Sequence, residues 1–261
     1  MKATGYTSAG SIDRSDALLD LELPLPTPGP RDLRVKVAAV SVNPVDTKIR
    51  VRRPASVEQP EVLGWDAVGV VDAVGSEVSL FKPGQRVYYA GAINRPGSNA
   101  EFHLVDERIV GLAPNSASDA EAAALPLTTI TAWEMLFDRL GVPEGGGAGQ
   151  HLLVIGGAGG VGSIMIQLAR QLTQLTIIAT ASRAETQNWC RDLGAHHVID
   201  HSQPMPAQLK ALGISQIEYS AALTQTDQHW AALVEMGAPQ GKICLIDDPA
   251  TPLDIMQLKG K

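Results

Sequence analysis

The sequence is poor in the residues that build disulfide or metal frameworks and in large aromatic groups. It has two cysteines in 261 residues, Cys190 and Cys244, and neither lies in a C-x-x-C pair. That excludes a disulfide scaffold and a structural zinc lobe, and leaves both thiols as small apolar packing groups. Aromatic residues make up 4% of the chain against a hydrophobic content of 44%, so the core must be aliphatic and alanine-rich. No basic cluster accompanies the net charge of −7. The densest positive run, Lys48 to Arg53, reads as a local site or a solvated face rather than a nucleic-acid footprint. No apolar run reaches the length that spans a bilayer, and the N-terminal residues lack the charged and apolar regions of a secretory leader. The expectation is a cytoplasmic protein that meets small molecules and neither nucleic acid nor membrane.

Glycine is plentiful, with 25 residues, and one glycine-rich stretch has a mechanism. Leu152–Gln167 reads LLVIGGAGGVGSIMIQ. A short apolar run ends at glycines, and an apolar helical pattern begins directly after them. Gly157, Gly159 and Gly162 form G-x-G-x-x-G between a strand and the mouth of a helix. The first glycine permits the tight turn. The second lets the backbone approach a pyrophosphate, and the third lets helix and strand pack closely. Backbone N–H groups of Gly160, Val161 and Gly162, with the helix dipole, then favour the anion. A second glycine-rich segment, Glu144–Gly149, leads into a strand instead and reads as a linker.

The chain divides by pattern. From the N-terminus, short β-type runs alternate with turns: Leu33–Val42, Gly64–Val74, Arg86–Tyr89 and Ala100–Val105. Between the first two, Asn43-Pro44-Val45-Asp46 reads as a turn with Asp46 as a cap, since Pro44 disfavours helix at Asn43. Beyond Ser118 the pattern turns helical. Leu127, Ile130, Trp133, Leu136 and Leu140 stand at helical spacing, with Trp133, Leu136 and Leu140 expected in the core. From Gln150 strand and helix alternate to Ile246, which implies a parallel sheet of βαβ units. The domains are read as 1–124, all-β, and 125–261, dinucleotide-binding.

The strand Thr176–Thr180 runs into Ala181-Ser182-Arg183. An acid about 20 residues beyond the motif is what usually holds a free ribose 2′-hydroxyl. Here a hydroxyl and a guanidinium stand at the tip, and Arg183 can grip a 2′-phosphate through charge-assisted hydrogen bonds. Ser182 and Arg183 therefore favour NADP(H) over NAD, while Ser182 also suits a helix cap. His196, His197 and His201 cluster near the end of the next strand, but their spacing is not helical and no cysteine or acid cluster joins them. No metal site is expected there.

Five segments together resemble the medium-chain dehydrogenase/reductase superfamily, in its zinc-independent quinone oxidoreductase branch (often labelled zinc-type alcohol dehydrogenase-like). They are Ser41–Arg50 (SVNPVDTKIR), Gly64–Val71 (GWDAVGVV), Pro83–Val87 (PGQRV), Ala124–Glu134 (ALPLTTITAWE) and Gly156–Gly162 (GGAGGVG). The resemblance implies a GroES-like β-barrel followed by a Rossmann domain, with hydride transfer across the cleft between them. Zinc alcohol dehydrogenases of this superfamily carry Cys where Asn43 stands and His where Trp65 stands, so the resemblance implies no zinc here. Without a metal to lower the pKa of a bound alcohol, reduction of a quinone or an enone is the better-supported chemistry. An enoyl or alkenal reductase, and a non-catalytic NADPH-binding sensor or interaction protein, are the alternatives.

The resemblance also assigns roles. Asn43 faces the nicotinamide and the acceptor. Lys48 stands where some quinone reductases carry a Tyr, as a candidate donor or oxyanion partner. Thr131 lies beside the nicotinamide ribose, and Tyr89 is a further donor candidate that reads as packing. Asp66 falls beside the lost zinc histidine and reads as structural. Relatives continue past Lys242–Ile246 with a segment that returns to the first domain. Part of the substrate pocket and the usual homodimer edge are expected to be missing from a chain that ends at Lys261.

Overall fold

Short antiparallel strands build the first part of the chain: β1 (Lys2–Tyr6), β2 (Leu19–Glu22), β3 (Asp32–Ser41), β4 (Glu61–Val62), β5 (Asp66–Val74), β6 (Arg86–Ala90), β7 (Phe102–Asp106) and β8 (Gly111–Leu112). The computed structural model describes all residues, Met1–Lys261, in two compact units, Met1–Leu127 and Thr128–Lys261. In the first unit β3 is the longest strand, and its alternation explains why. Leu33 and Val35 point inward and are fully buried, while Arg34 and Lys36 turn outward. β3 pairs with β5 and β7 in a five-stranded sheet ordered β7-β3-β5-β6-β8, beside a three-stranded sheet β2-β1-β4. Leu33, Val35, Ala67, Val71, Val87, Tyr89 and Val105 form the core of the larger sheet. The set holds one aromatic residue, as the composition requires.

One helix replaces an expected turn. Pro44–Arg52 forms α1, and Asn43 is its N-cap with extended backbone, φ −124° and ψ 158°. Proline is well suited to the first helical position, where its missing N–H has no partner to lose. Asp46, three residues on, returns its carboxylate to the Asn43 N–H at 2.6 Å. The residues read as a turn are therefore the start of a helix. Its basic positions do not form a uniformly solvated face: Arg50 is buried and donates to the Gly10 carbonyl at 2.9 Å.

Two further helices follow, α2 (Asp119–Ala123) and α3 (Pro126–Trp133). Ser118 and Glu121 cap α2 reciprocally. Beyond Trp133 the chain continues as a π-helical segment, Glu134–Arg139. The wider turn rotates the side chains that follow, so Met135, Leu136 and Leu140 are buried while Ile130 and Trp133 are 50% and 38% exposed. A stripe at regular helical spacing placed Trp133 in the core; the change of helical pitch takes it out.

The second unit alternates strand and helix: β9 (His151–Ile155), α4 (Gly160–Leu172), β10 (Thr176–Thr180), α5 (Ala184–Asp192), β11 (His197–Ile199), α6 (Met205–Ala211), β12 (Ile217–Ala222), α7 (Thr226–Met236) and β13 (Gly237–Leu245). The sheet is parallel and ordered β11-β10-β9-β12-β13. This is a Rossmann sheet. The chain turns back at β9, and ligands of such sheets bind outside the carboxyl ends of the strands at that switch point. Leu152, Leu153, Val154 and Ile155 of β9 are all buried, because helices cover both faces of a parallel sheet.

The first unit holds a buried histidine whose chemistry is structural. His103 on β7 is 4% exposed, with Nδ1 3.0 Å from the Tyr89 hydroxyl and Nε2 2.9 Å from the Pro96 carbonyl. Burial pushes its pKa down to about 4 and the Tyr89 phenol up. Tyr89 is thus a packing group with a partnered hydroxyl. Because the folded state resists protonating His103, its contribution is present above about 6.5 and is lost as pH falls toward 4. In urea unfolding at a series of pH values, the stability gap between wild type and His103→Gln is expected to narrow over that window by up to about 3 kcal/mol. A gap independent of pH contradicts the assignment.

Candidate active site

In the first unit the end of β3, the start of α1 and the start of β5 meet at Asn43. Its side chain is 6% exposed, and its Nδ2 donates to Asp66 Oδ2 at 2.8 Å. Asp66 is fully buried, and its other oxygen accepts the Leu127 N–H at 2.8 Å in the first turn of α3. Asp46 is 5% exposed and accepts the Asn43 N–H with one oxygen and the Gly64 N–H with the other, at 2.6 and 2.9 Å. One carboxylate thus fixes the Asn43 side-chain amide and the other its backbone N–H. Each has its oxygens engaged by N–H donors, which is the condition for burying such groups. Lys48 lies half-buried in the second turn of the helix that Asn43 caps.

A catalytic zinc needs about three protein ligands around an open position. The donor set here does not fit one. Asn43 offers a neutral amide in place of a thiolate, with one Nδ2–H donating to Asp66. Trp65 has no metal-binding atom, and its indole N–H goes to the Ala92 carbonyl at 3.1 Å. His103 is bonded at both nitrogens, and no group of three His, Cys, Asp or Glu side chains is gathered.

In the second unit the glycine motif follows β9. Gly156 has φ +81°, and its N–H donates to the Thr180 hydroxyl at 3.0 Å, while the Gly157 N–H donates to the Thr180 carbonyl at 3.1 Å. A Cβ on Gly162 would lie 2.5 Å from the Gly156 carbonyl oxygen, so only glycine lets α4 sit this close to the turn. Gly159 caps α4 without a side chain to occupy the free amides, and Gly159 and Gly160 are exposed. The first turn of α4 therefore offers the backbone N–H groups of Gly160, Val161 and Gly162 to an anion. Thr128 of α3 lies against the same loop, since a Cβ on Gly160 would come within 3.1 Å of its methyl group. Thr131 follows one turn later, half-buried. At the tip of β10, Ser182 and Arg183 are exposed, and Arg183 caps α5 through its backbone. A dinucleotide fits this donor set.

Residues 29–129 match the alcohol dehydrogenase GroES-like domain, and residues 160–258 match the zinc-binding dehydrogenase family. The whole chain is 42% identical to a zinc-type alcohol dehydrogenase-like protein of Staphylococcus aureus (strain Mu50) and spans 78% of that protein. The chain belongs to the medium-chain dehydrogenase/reductase superfamily. It is an oxidoreductase of that superfamily with a GroES-like first domain and a Rossmann second domain. A crystal structure from Rhizobium etli CFN 42, provisionally named a zinc-dependent alcohol dehydrogenase, is 56% identical with a TM-score of 0.94, covering 99% of this chain and 75% of that one. Escherichia coli quinone oxidoreductase complexed with NADPH is 25% identical with a TM-score of 0.85, over 99% of this chain and 78% of that one. An Arabidopsis thaliana NADPH-dependent alkenal/one oxidoreductase is 37% identical over 78% of this chain and 53% of that protein.

Sequence reasoning named Asn43 but gave Asp66 only a structural place. The two are 23 residues apart, and no local spacing signals their contact. It also missed Thr180, whose hydroxyl anchors the start of the glycine loop; a threonine as the last residue of the second strand was the available signal.

The buried acid makes a testable contribution. Burial pushes the Asp66 carboxyl up to about 6, and the like charge of Asp46 adds to the shift, against the hydrogen bonds from Asn43 and Leu127. A raised acid favours folding while protonated, so stability falls as pH rises from about 4 to about 6, opposite in sign to the His103 slope. Asp66→Asn is expected to remove up to about 3 kcal/mol of that fall in chemical denaturation. An unchanged slope contradicts the assigned protonation.

Proposed function

We propose that the protein reduces a quinone or a similar conjugated carbonyl with NADPH and without zinc. The observation that carries this reading is the amide at Asn43. A buried, hydrogen-bonded Asn occupies the position where zinc dehydrogenases of the superfamily place a thiolate ligand. Bound NADPH supplies the hydride. The protein's residues do the rest.

Gly160, Val161 and Gly162 hold the pyrophosphate through backbone N–H groups. Ser182 and Arg183 receive the 2′-phosphate, since no acid stands at that tip to repel it. Thr131 positions the nicotinamide ribose. Asn43 presents its amide to the acceptor. Hydride addition to a conjugated acceptor spreads negative charge onto an oxygen, which needs hydrogen-bond donors and a proton rather than a Lewis acid. Lys48 is the proposed partner for that oxygen.

The NADPH complex of the quinone oxidoreductase supports the cofactor and the acceptor class. The NADPH-dependent alkenal/one oxidoreductase supports a second reading, reduction of an alkenal or enone on the same scaffold. NADPH oxidation against a panel of quinones, alkenals and enoyl thioesters, with NADH in parallel, tests both. The expected result is turnover with NADPH on quinones or enones and weaker turnover with NADH. NADPH binding without turnover on any acceptor would favour a sensor, and absence of NADPH binding would overturn the proposal.

A further inference from the structure

The head of α7 departs from an ordinary helix start. Its N-cap residue is Gln225, in the left-handed region at φ +51° and ψ +40°, and the Gln225 side chain makes no capping hydrogen bond. N-cap residues are normally extended, with a Ser, Thr, Asp or Asn oxygen on the free amides. A left-handed backbone carries a steric penalty for any residue with a Cβ, and it persists where the surroundings hold it. Gln225 is exposed, so the hold comes from its neighbours.

Asp247, just beyond β13, supplies it. One of its oxygens accepts the Thr226 N–H at 2.8 Å, and the other accepts the Thr226 hydroxyl. Thr226 is fully buried. The carboxylate thus does from another strand what an N-cap side chain does elsewhere. The residues that follow are fastened along the same helix. The Ala250 N–H donates to Asp227 at 3.1 Å, and the Trp230 indole N–H donates to the Asp254 carbonyl at 3.0 Å.

Gln225 ends a short connection, residues 223–225, that leaves β12 beside β9. The Leu223 N–H donates to the Ile155 carbonyl at 3.3 Å, and a Cβ on Gly156 would lie 3.0 Å from the Thr224 methyl group. Gly156 therefore stands between two threonines, the hydroxyl of Thr180 on the β10 side and the methyl of Thr224 on the β12 side. The Gly156 carbonyl in turn accepts the N–H of Gly159, the residue that caps α4, at 3.1 Å.

We propose that Asp247 is a positioning residue of the dinucleotide site. Through Thr226 it holds Gln225 left-handed, which seats Thr224 against Gly156 and sets the turn from which α4 presents its N–H groups. The proposal rests on the dinucleotide reading above. Its effect falls on the pyrophosphate, which both nicotinamide dinucleotides share, so it carries no preference between NADPH and NADH.

Calorimetric titration with NADPH and with NADH tests this, using wild type, Asp247→Ala, Thr226→Val and the double variant Asp247→Ala with Gln225→Gly. Thermal melting of the unliganded proteins runs beside it. Asp247→Ala and Thr226→Val are each expected to weaken both dinucleotides about tenfold, the loss of a hydrogen bond to a charged group, with the NADPH-to-NADH ratio unchanged. Glycine carries no Cβ penalty at positive φ, so the double variant is expected to recover affinity to within about threefold of wild type. If Asp247→Ala does not fold, Thr226→Val with and without Gln225→Gly makes the same comparison. Variants that melt lower but bind both dinucleotides as wild type does assign Asp247 to capping α7 alone and overturn the proposal. A double variant that binds no better than Asp247→Ala also overturns it. A wild type that binds neither dinucleotide overturns the dinucleotide reading itself.

Discussion

A carboxylate buried without solvent exposure, that of Asp66, organises the surroundings of Asn43. Asp66 accepts the Asn43 amide with one oxygen and the Leu127 backbone N–H with the other. Such a group is tolerated only when fully hydrogen-bonded, and breaking one bond would strand the remainder in a low-dielectric site. The bonds therefore tie three elements together: the turn after β3, the head of β5 and the first turn of α3. Asp46 adds a second constraint from the α1 side. The Asn43 amide is held in one orientation before any ligand arrives, and preorganised dipoles of this kind need no rearrangement during reaction.

The cofactor side is constrained by contact distance rather than charge. Gly162 sits where any Cβ would strike the Gly156 carbonyl. That closeness brings the first turn of α4 against the turn that follows β9. The Thr180 hydroxyl completes the turn from the neighbouring strand, so the loop's shape depends on β10 as well as on its own glycines. A backbone site of this kind recognises the pyrophosphate without distinguishing the two nicotinamide dinucleotides. In the proposed function the distinction falls to the side chains of Ser182 and Arg183, which are exposed beyond the end of β10.

Much of this was readable in the chain because its signals are local. Alternation located β3, and the apolar run before Gly156 located β9. The strand Thr176–Thr180 matches its sequence pattern residue for residue. Helix α1 was missed because PVDTKIRVR mixes charged and apolar residues without an apolar face, and Asn-Pro is a strong turn signal. Its stability comes from the Asp46 cap and from tertiary bonds such as Arg50 to Gly10. The π-helical turn after Trp133 has no pattern of its own, so the exposure of Trp133 could not be foreseen. Asn43 was legible as a residue type in a motif. Its anchor at Asp66, and the hold of Asp247 on Thr226, depend on elements that meet only in the fold.

In the proposed reaction a carboxylate-anchored amide does the work assigned to a metal in related dehydrogenases. The most direct measurement follows deuteride from 4-deuterated NADPH to a quinone or enone, using protein exhaustively treated with chelator and shown to be metal-free. The account predicts deuterium transfer at an undiminished rate. Transfer that stops on chelation and returns with added zinc would contradict it.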